Sequence, residues 1–135
     1  MNIYILYIRS VAEYCSTAFH SSLTAEQDKK LEAIQKVSLK VIMGHSYVSY
    51  ENALIATGLK TLHTRREERS LKFGLKALKQ KQTMNLFPKN QVESSQDVRG
   101  RETYHVNFAH TEAYKQSAIP TIQRMLNKRA EGAHQ

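Results

Sequence analysis

Residues 24–44 read TAEQDKKLEAIQKVSLKVIMG and describe one complete helix with both of its ends. Thr24 followed by Gln27 is a capping-box pattern, in which each residue satisfies a backbone N–H that the first helical turn leaves without a partner. Gly44 supplies a C-terminal stop. Glu26 and Asp28 stand in the first turn and Lys36 and Lys40 further on, which suits the helix dipole. Leu31, Ile34, Val41 and Ile42 recur on one face with Ser38 in the same row, and Val37, Leu39 and Met43 widen it.

The same pattern continues on either side. Ile3, Tyr7, Val11, Tyr14 and Ala18 return at helical spacing, with Leu6 and Cys15 beside them, and predict a first helix over about residues 2–16. The run Ile3–Ile8 is too short to span a bilayer and reads as a buried helix turn. It opens almost at Met1 with no cap before it, as a chain cut from something longer would. Downstream, Ser49 and Gly58 bracket a short third helix. Thr61 or Thr64 begins a fourth that reaches about Gln80, with Thr64 and Glu67 as a second capping box and Leu71, Leu75 and Leu78 as its buried row.

From Lys81 the period is lost. Residues 82–103 read as a flexible linker in which Phe87-Pro88 docks locally. Tyr104, Val106 and Phe108 alternate with His105 and Asn107 as a short extended segment. A last helix is expected from Ser117, with Pro120 in its first turn, Ile119, Ile122, Met125 and Leu126 on its apolar face, and fraying after Lys128. The fold class is therefore all-α: a small irregular bundle of about four to five helices with a flexible C-terminal linker and a short terminal helix. The expected division is a helical domain over 1–81, a linker over 82–103 and a tail over 104–135.

Charge points to a partner class. Twenty Lys and Arg against twelve Asp and Glu leave +8 on 135 residues, a balance that favours a polyanion. The excess is concentrated in the fourth helix. From Lys60 to Lys81 there are eight basic residues and two acidic ones. Arg65, Arg69, Lys72, Lys76 and Lys79 are spaced four, three, four and three apart, so at about 100° per residue they form one stripe, with Arg66 beside it. Such a ridge suits RNA or DNA phosphates in a sequence-independent, salt-dependent way, although the same spacing also describes an ordinary solvated face. The string 50–70, YENALIATGLKTLHTRREERS, also fits a loose helix-turn-helix, in which Thr64, Arg65, Arg66 and Arg69 would meet base edges.

Other chemistries find little support. Asp28 and Asp97 are the only aspartates and stand in unrelated settings, so no carboxylate cluster of the kind that holds paired catalytic metals is present. A single cysteine excludes an internal disulfide and a cysteine-based zinc site, and His105 and His110 are off the spacing of two ligands on one helix face. Cys15 reads as a buried structural thiol, not as a nucleophile paired with His20. Tyr4, Tyr7, Tyr14 and Phe19 read as core aromatics in preference to base-stacking ones. No cofactor, metal or membrane partner is expected. With no export signal, a cytoplasmic or nuclear location is the default.

Four blocks, in order, carry a resemblance. They are YIRSVAEYCSTAFHSSLT (7–24), LEAIQKVSLKVIMG (31–44), YENALIATGLKTLHTRREERSLKFGLKAL (50–78) and RETYHVNFAHTEAYKQSAIPTIQRMLN (101–127). Together they resemble the C-terminal region of reverse transcriptases from non-LTR (LINE-like) retrotransposons, from the segment after the catalytic palm through the helical thumb and the post-thumb segment. Phe19 stands where the family usually has Trp, Thr17 where Pro is common, and Ser70 where Cys is frequent. The resemblance implies a non-catalytic piece of a polymerase, because the palm with its paired aspartates is absent. It implies a thumb-like grip on nucleic acid, with phosphate contact at Arg65, Arg66, Arg69, Lys72 and Lys76. The alternative reading is a helical protein-interaction module without a nucleic-acid role: freed from a palm, Ile3, Tyr7 and Val11 would lack a surface to pack against, which favours self-association through the first helix.

Overall fold

The computed structural model describes residues 1–89, 103–106 and 108–132. The fold is small and all-α, and the described residues form no strand beyond one isolated antiparallel bridge between Lys89 and Tyr104. In chain order a π-helical turn, Tyr4–Ile8, leads into α1 (Arg9–Ala12), followed by α2 (Ser16–Phe19), α3 (Ala25–Met43), α4 (Tyr50–Thr57), α5 (Leu62–Ala77), α6 (Glu112–Lys115) and α7 (Ala118–Gly132). Residues gather into two compact units. The first takes Met1–Ser16 and Leu23–Glu68, and the second takes Thr17–Ser22 and Arg69–Gln135.

The ends of the first unit's helices follow local chemistry. Thr24 and Gln27 form both halves of the capping box on α3, and Gly44 closes it at φ 52°. Ser49 caps α4 through the Asn52 N–H, and Gly58 ends it in the left-handed conformation at φ 65°, where a Cβ would be strained. Thr61, not Thr64, caps α5: its hydroxyl accepts the Thr64 N–H at 3.2 Å. Thr64 is thereby drawn into the first turn of α5.

Which faces turn inward is less local. On α3 the buried residues are Gln35 and Leu39, whereas Ile34, Val41 and Ile42 of the expected apolar row are exposed. Gln35 sets this phase. Its Oε1 accepts the Tyr4 hydroxyl at 2.6 Å, and its Nε2 donates to the Tyr50 hydroxyl at 3.1 Å and to the Lys60 carbonyl at 3.0 Å. A buried amide with three partners is tolerated, and once it faces inward the neighbouring aliphatics rotate outward. The N-terminal helix is phased in the same way. Tyr4, Ala12, Glu13 and Ser16 are buried, so the turn expected to bury Ile3–Ile8 leaves Ile3, Leu6, Tyr7 and Ile8 exposed, as are Val11 and Tyr14. Cys15 is exposed and takes φ 50°, which ends the expected 2–16 helix early and overturns the buried-thiol reading.

The second unit has a more conventional centre. Ala77, Phe87, Ile122 and Leu126 are buried together, with Leu71, Leu75, Leu78, Tyr104 and Ile119 packed around them. The expected leucine row thus supports this core, although Gly74 and Ala77 lie deeper. Residues 82–89 are not a linker: Thr83 donates to the Ala77 carbonyl at 3.0 Å, Met84–Leu86 forms a 3₁₀ turn, and Phe87 is docked in the core. The rest of the expected linker, residues 90–102, lies outside the described residues, as does Asn107 of the expected extended segment. Helix α7 continues past Lys128 to Gly132. Its buried amides hold irregular backbone, Gln123 donating to the Leu86 carbonyl at 3.1 Å and Asn127 exchanging two hydrogen bonds with Tyr104, at 2.7 and 2.9 Å.

Gly74 of α5 lies against Ile122 and Leu126 of α7. A Cβ built there would stand 2.5 Å from Cγ2 of Ile122 and 3.3 Å from Cδ1 of Leu126. Alanine favours a helix interior over glycine by about 1 kcal/mol, but overpacking a core of this kind costs about 1–3 kcal/mol. Gly74→Ala is expected to lower unfolding stability in urea by about 1 kcal/mol, and Ile122→Ala, which removes the clashing methyl, should reverse the sign of the Gly74→Ala effect when the two are combined.

Candidate nucleic-acid interface

The N-terminus of α5 is built from carboxylates on α3. Glu32 accepts the backbone N–H groups of Leu62 at 3.2 Å and His63 at 3.3 Å, and it also accepts the Tyr50 hydroxyl. A negative side chain at this position complements the helix dipole and satisfies donors that have no partner within the helix. One turn earlier on α3, Asp28 meets His63 Nδ1 at 2.9 Å and accepts a hydrogen bond from Arg66. Glu13 lies beneath, 2% exposed, and receives Arg65 through Nε at 2.5 Å and Nη2 at 3.2 Å. The Arg65 guanidinium is held above its usual range, first by this hydrogen bond.

This arrangement divides the basic stripe. Arg66, counted with the phosphate-facing residues, is 0% exposed and belongs to an inner line of α5 that runs Leu62, Arg66, Ser70, Gly74, Ala77. Arg65 is partly buried in its fork with Glu13. Both are structural cations of the first unit. The small residues Ser70, Gly74 and Ala77 at this spacing were the signal in the sequence that identifies the inner line, and Arg66 continues it by one turn. The helix-turn-helix reading loses by the same geometry, because Arg65 and Arg66 were two of its four base-contacting residues.

The remaining members stay on the surface. Arg69, Lys72, Lys76 and Lys79 are all exposed and all lie in the second unit. Lys79 follows the end of α5, in a turn held by its N–H to the Lys76 carbonyl at 3.1 Å. The sequence from Arg69 to Lys89 contains six basic residues, the other two being Lys81 and Lys89, and no acidic one. Lys81 and Lys89 are exposed as well. Among the described residues no three His, Cys, Asp or Glu side chains gather where a metal ion would be held, and no helix is long and apolar enough to cross a membrane. Tyr7 and Tyr14, expected in the core, are exposed, while Tyr4 is buried and Phe19 partly so.

The chain was compared with known protein families, with curated proteins and with solved structures, and it matches none.

Two measurements probe the pairs that support α5. Arg65→Gln leaves the buried Glu13 carboxylate without its guanidinium, and losing one partner of such a pair typically costs about 3 kcal/mol or more. The expected outcome is a large drop in urea midpoint, with Glu13→Gln combined with Arg65→Gln recovering part of it. The second concerns Tyr4, whose phenol burial pushes up to about 12. The folded state then holds this proton more tightly than the unfolded chain does, so its stabilisation is complete below the ordinary tyrosine value of about 10 and is lost as pH rises toward 12. Tyr4→Phe should be weaker at neutral pH by about 1 kcal/mol and lose less stability over that alkaline interval than the parent chain.

Proposed function

We propose that the chain is a non-catalytic C-terminal fragment of a reverse transcriptase of the non-LTR retrotransposon kind, and that it binds RNA or DNA through the phosphate backbone without reading sequence. The four blocks 7–24, 31–44, 50–78 and 101–127, in their order, support the family reading. One observation carries the binding reading: Arg69, Lys72, Lys76 and Lys79 are exposed on a stretch, Arg69 to Lys89, that contains no acidic residue. Three of the four are lysines, which act as mobile point charges and suit phosphate positioning better than bidentate recognition of a base edge. The two arginines that stood nearest the start of α5 serve its ion pairs instead. The proposed interface therefore begins at Arg69, one turn further along α5 than the stripe in the sequence suggested.

Counterion release sets the expected signature. Each phosphate neutralised contributes about −0.9 to the slope of log K against log salt on duplex DNA, and about −0.7 on single strands. Fluorescence anisotropy with single-stranded RNA and with duplex DNA of several sequences should give affinities that differ little with sequence and fall steeply with salt. The triple replacement Lys72→Gln, Lys76→Gln, Lys79→Gln should flatten the duplex slope by about 2–3 while leaving the urea midpoint unchanged. A triple variant with the parent's slope would overturn the assignment of this surface.

A further inference from the structure

The N-terminal helix presents an apolar face that the first unit does not use. Ile3, Leu6, Tyr7, Val11 and Tyr14 are each between 65% and 77% exposed. Along the π-helical turn Tyr4–Ile8 and α1, Ile3, Leu6, Tyr7, Ser10 and Val11 fall within one arc of about 140° or less, and Tyr14 is exposed in the turn that follows α1. Ser10 does not interrupt the face chemically. Its hydroxyl turns back onto the carbonyls of Leu6 at 2.6 Å and Tyr7 at 3.0 Å, so it asks for no external partner. Arg9 and Glu13 lie off the arc, and Glu13 is tied inward to Arg65. The face is therefore uncharged from end to end.

We infer that this face pairs with the same face of a second copy of the chain. Three observations select that occupant. The first is charge. A copy brings another +8, so two molecules approach favourably only through a surface that carries no lysine or arginine. A second exposed apolar row on α3, Ile34, Val37 and Val41, has Lys36 and Lys40 beside it and would place like charges together. The second observation is symmetry. Antiparallel pairing about a twofold axis at Tyr7 sets Ile3 of each copy against Val11 of the other, so the row is complementary to itself, as an isologous contact requires. The third is area. The four side chains that this pairing covers, Ile3, Leu6, Tyr7 and Val11, offer on the order of 550 Å² per copy, or about 1,100 Å² for the pair, just above the roughly 1,000 Å² that a specific interface needs. Tyr7 stands at the centre of this patch, and an interface of this kind draws its energy from such an anchor.

Sedimentation of the full chain, freed of nucleic acid by nuclease and a cation-exchange step, tests this. A concentration-dependent mass approaching twice that of the chain is expected, and the association should strengthen with added salt as the mutual repulsion is screened. Phosphate binding changes in the opposite direction with salt. Val11→Glu should return the chain to a monomer with unchanged helical circular dichroism, and Leu6→Lys should do the same. Val41→Glu should leave the dimer intact, as should the triple Lys72→Gln, Lys76→Gln, Lys79→Gln variant, so failure of the nucleic-acid assignment would not be mistaken for failure of this one. A chain that remains monomeric at every concentration and salt overturns the inference, whether the face is then covered by another protein or by nothing. Dimers that survive Val11→Glu, or that Val41→Glu dissolves equally well, overturn it too.

Discussion

The first unit depends on two carboxylates of α3, Asp28 and Glu32, meeting the start of α5. Glu32 takes the Leu62 and His63 N–H groups together with the Tyr50 hydroxyl, and Asp28 takes Arg66 and His63. These bonds join α3, α4 and α5 around a centre that is largely polar. Leu39, Ala53 and Leu62 are the aliphatic residues fully withdrawn from solvent there, and Gln35, Glu13 and Arg66 are buried as well. So few apolar groups supply little hydrophobic stabilisation, at about 25 cal/mol for each Å² buried. The relative placement of the helices must come instead from directional bonds, which tolerate few alternatives. Burial raises the Tyr4 phenol to about 12, and burial followed by the bond to Glu32 carries Tyr50 higher still, as expected for phenols enclosed beside carboxylates.

That polar centre explains what could and could not be read in the sequence. The ends of α3 and α4 were legible because capping is a contact between residues three apart: Thr24 with Gln27, Ser49 with the Asn52 N–H, and Gly44 and Gly58 at the stops. The all-α class was legible for the same reason. The buried faces of the first unit were not. Periodicity assumes that the apolar side of a helix faces inward, and Gln35 breaks the assumption by finding three partners, two of which, Tyr4 and Lys60, lie 31 and 25 residues away along the chain. Nothing local in LEAIQKV marks Gln35 as the inward residue. In the second unit the centre is apolar, and there the leucine row of α5 and the isoleucine–leucine face of α7 were read with little error.

The candidate site shows the same split between local and non-local information. Spacing placed Arg65, Arg66, Arg69, Lys72, Lys76 and Lys79 on one side of one helix, and for the last four exposure agrees. It could not tell that Glu13, fifty-two residues before Arg65, and Asp28, thirty-eight before Arg66, would claim the first two. A cation can serve a phosphate or a buried carboxylate, and the choice is made by what the fold brings to it. The cost of breaking a buried pair makes the exchange unfavourable for Arg65 and Arg66, whereas an exposed lysine gives up only a weakly held hydration shell and its counterions.

Charge and apolar surface are distributed in complementary ways. The basic stretch from Arg69 to Lys89 carries no apolar row of comparable exposure, and the N-terminal face carries no charge. Salt therefore acts on the two with opposite signs, weakening contacts made by the lysines and easing the approach of two like-charged chains through the uncharged helix. A surface that mixed lysines among the exposed aliphatics would do neither well, because each buried ammonium would have to lose its water without a partner. The two kinds of surface belong to different parts of the chain, Ile3–Tyr14 to the first unit and Arg69–Lys79 to the second.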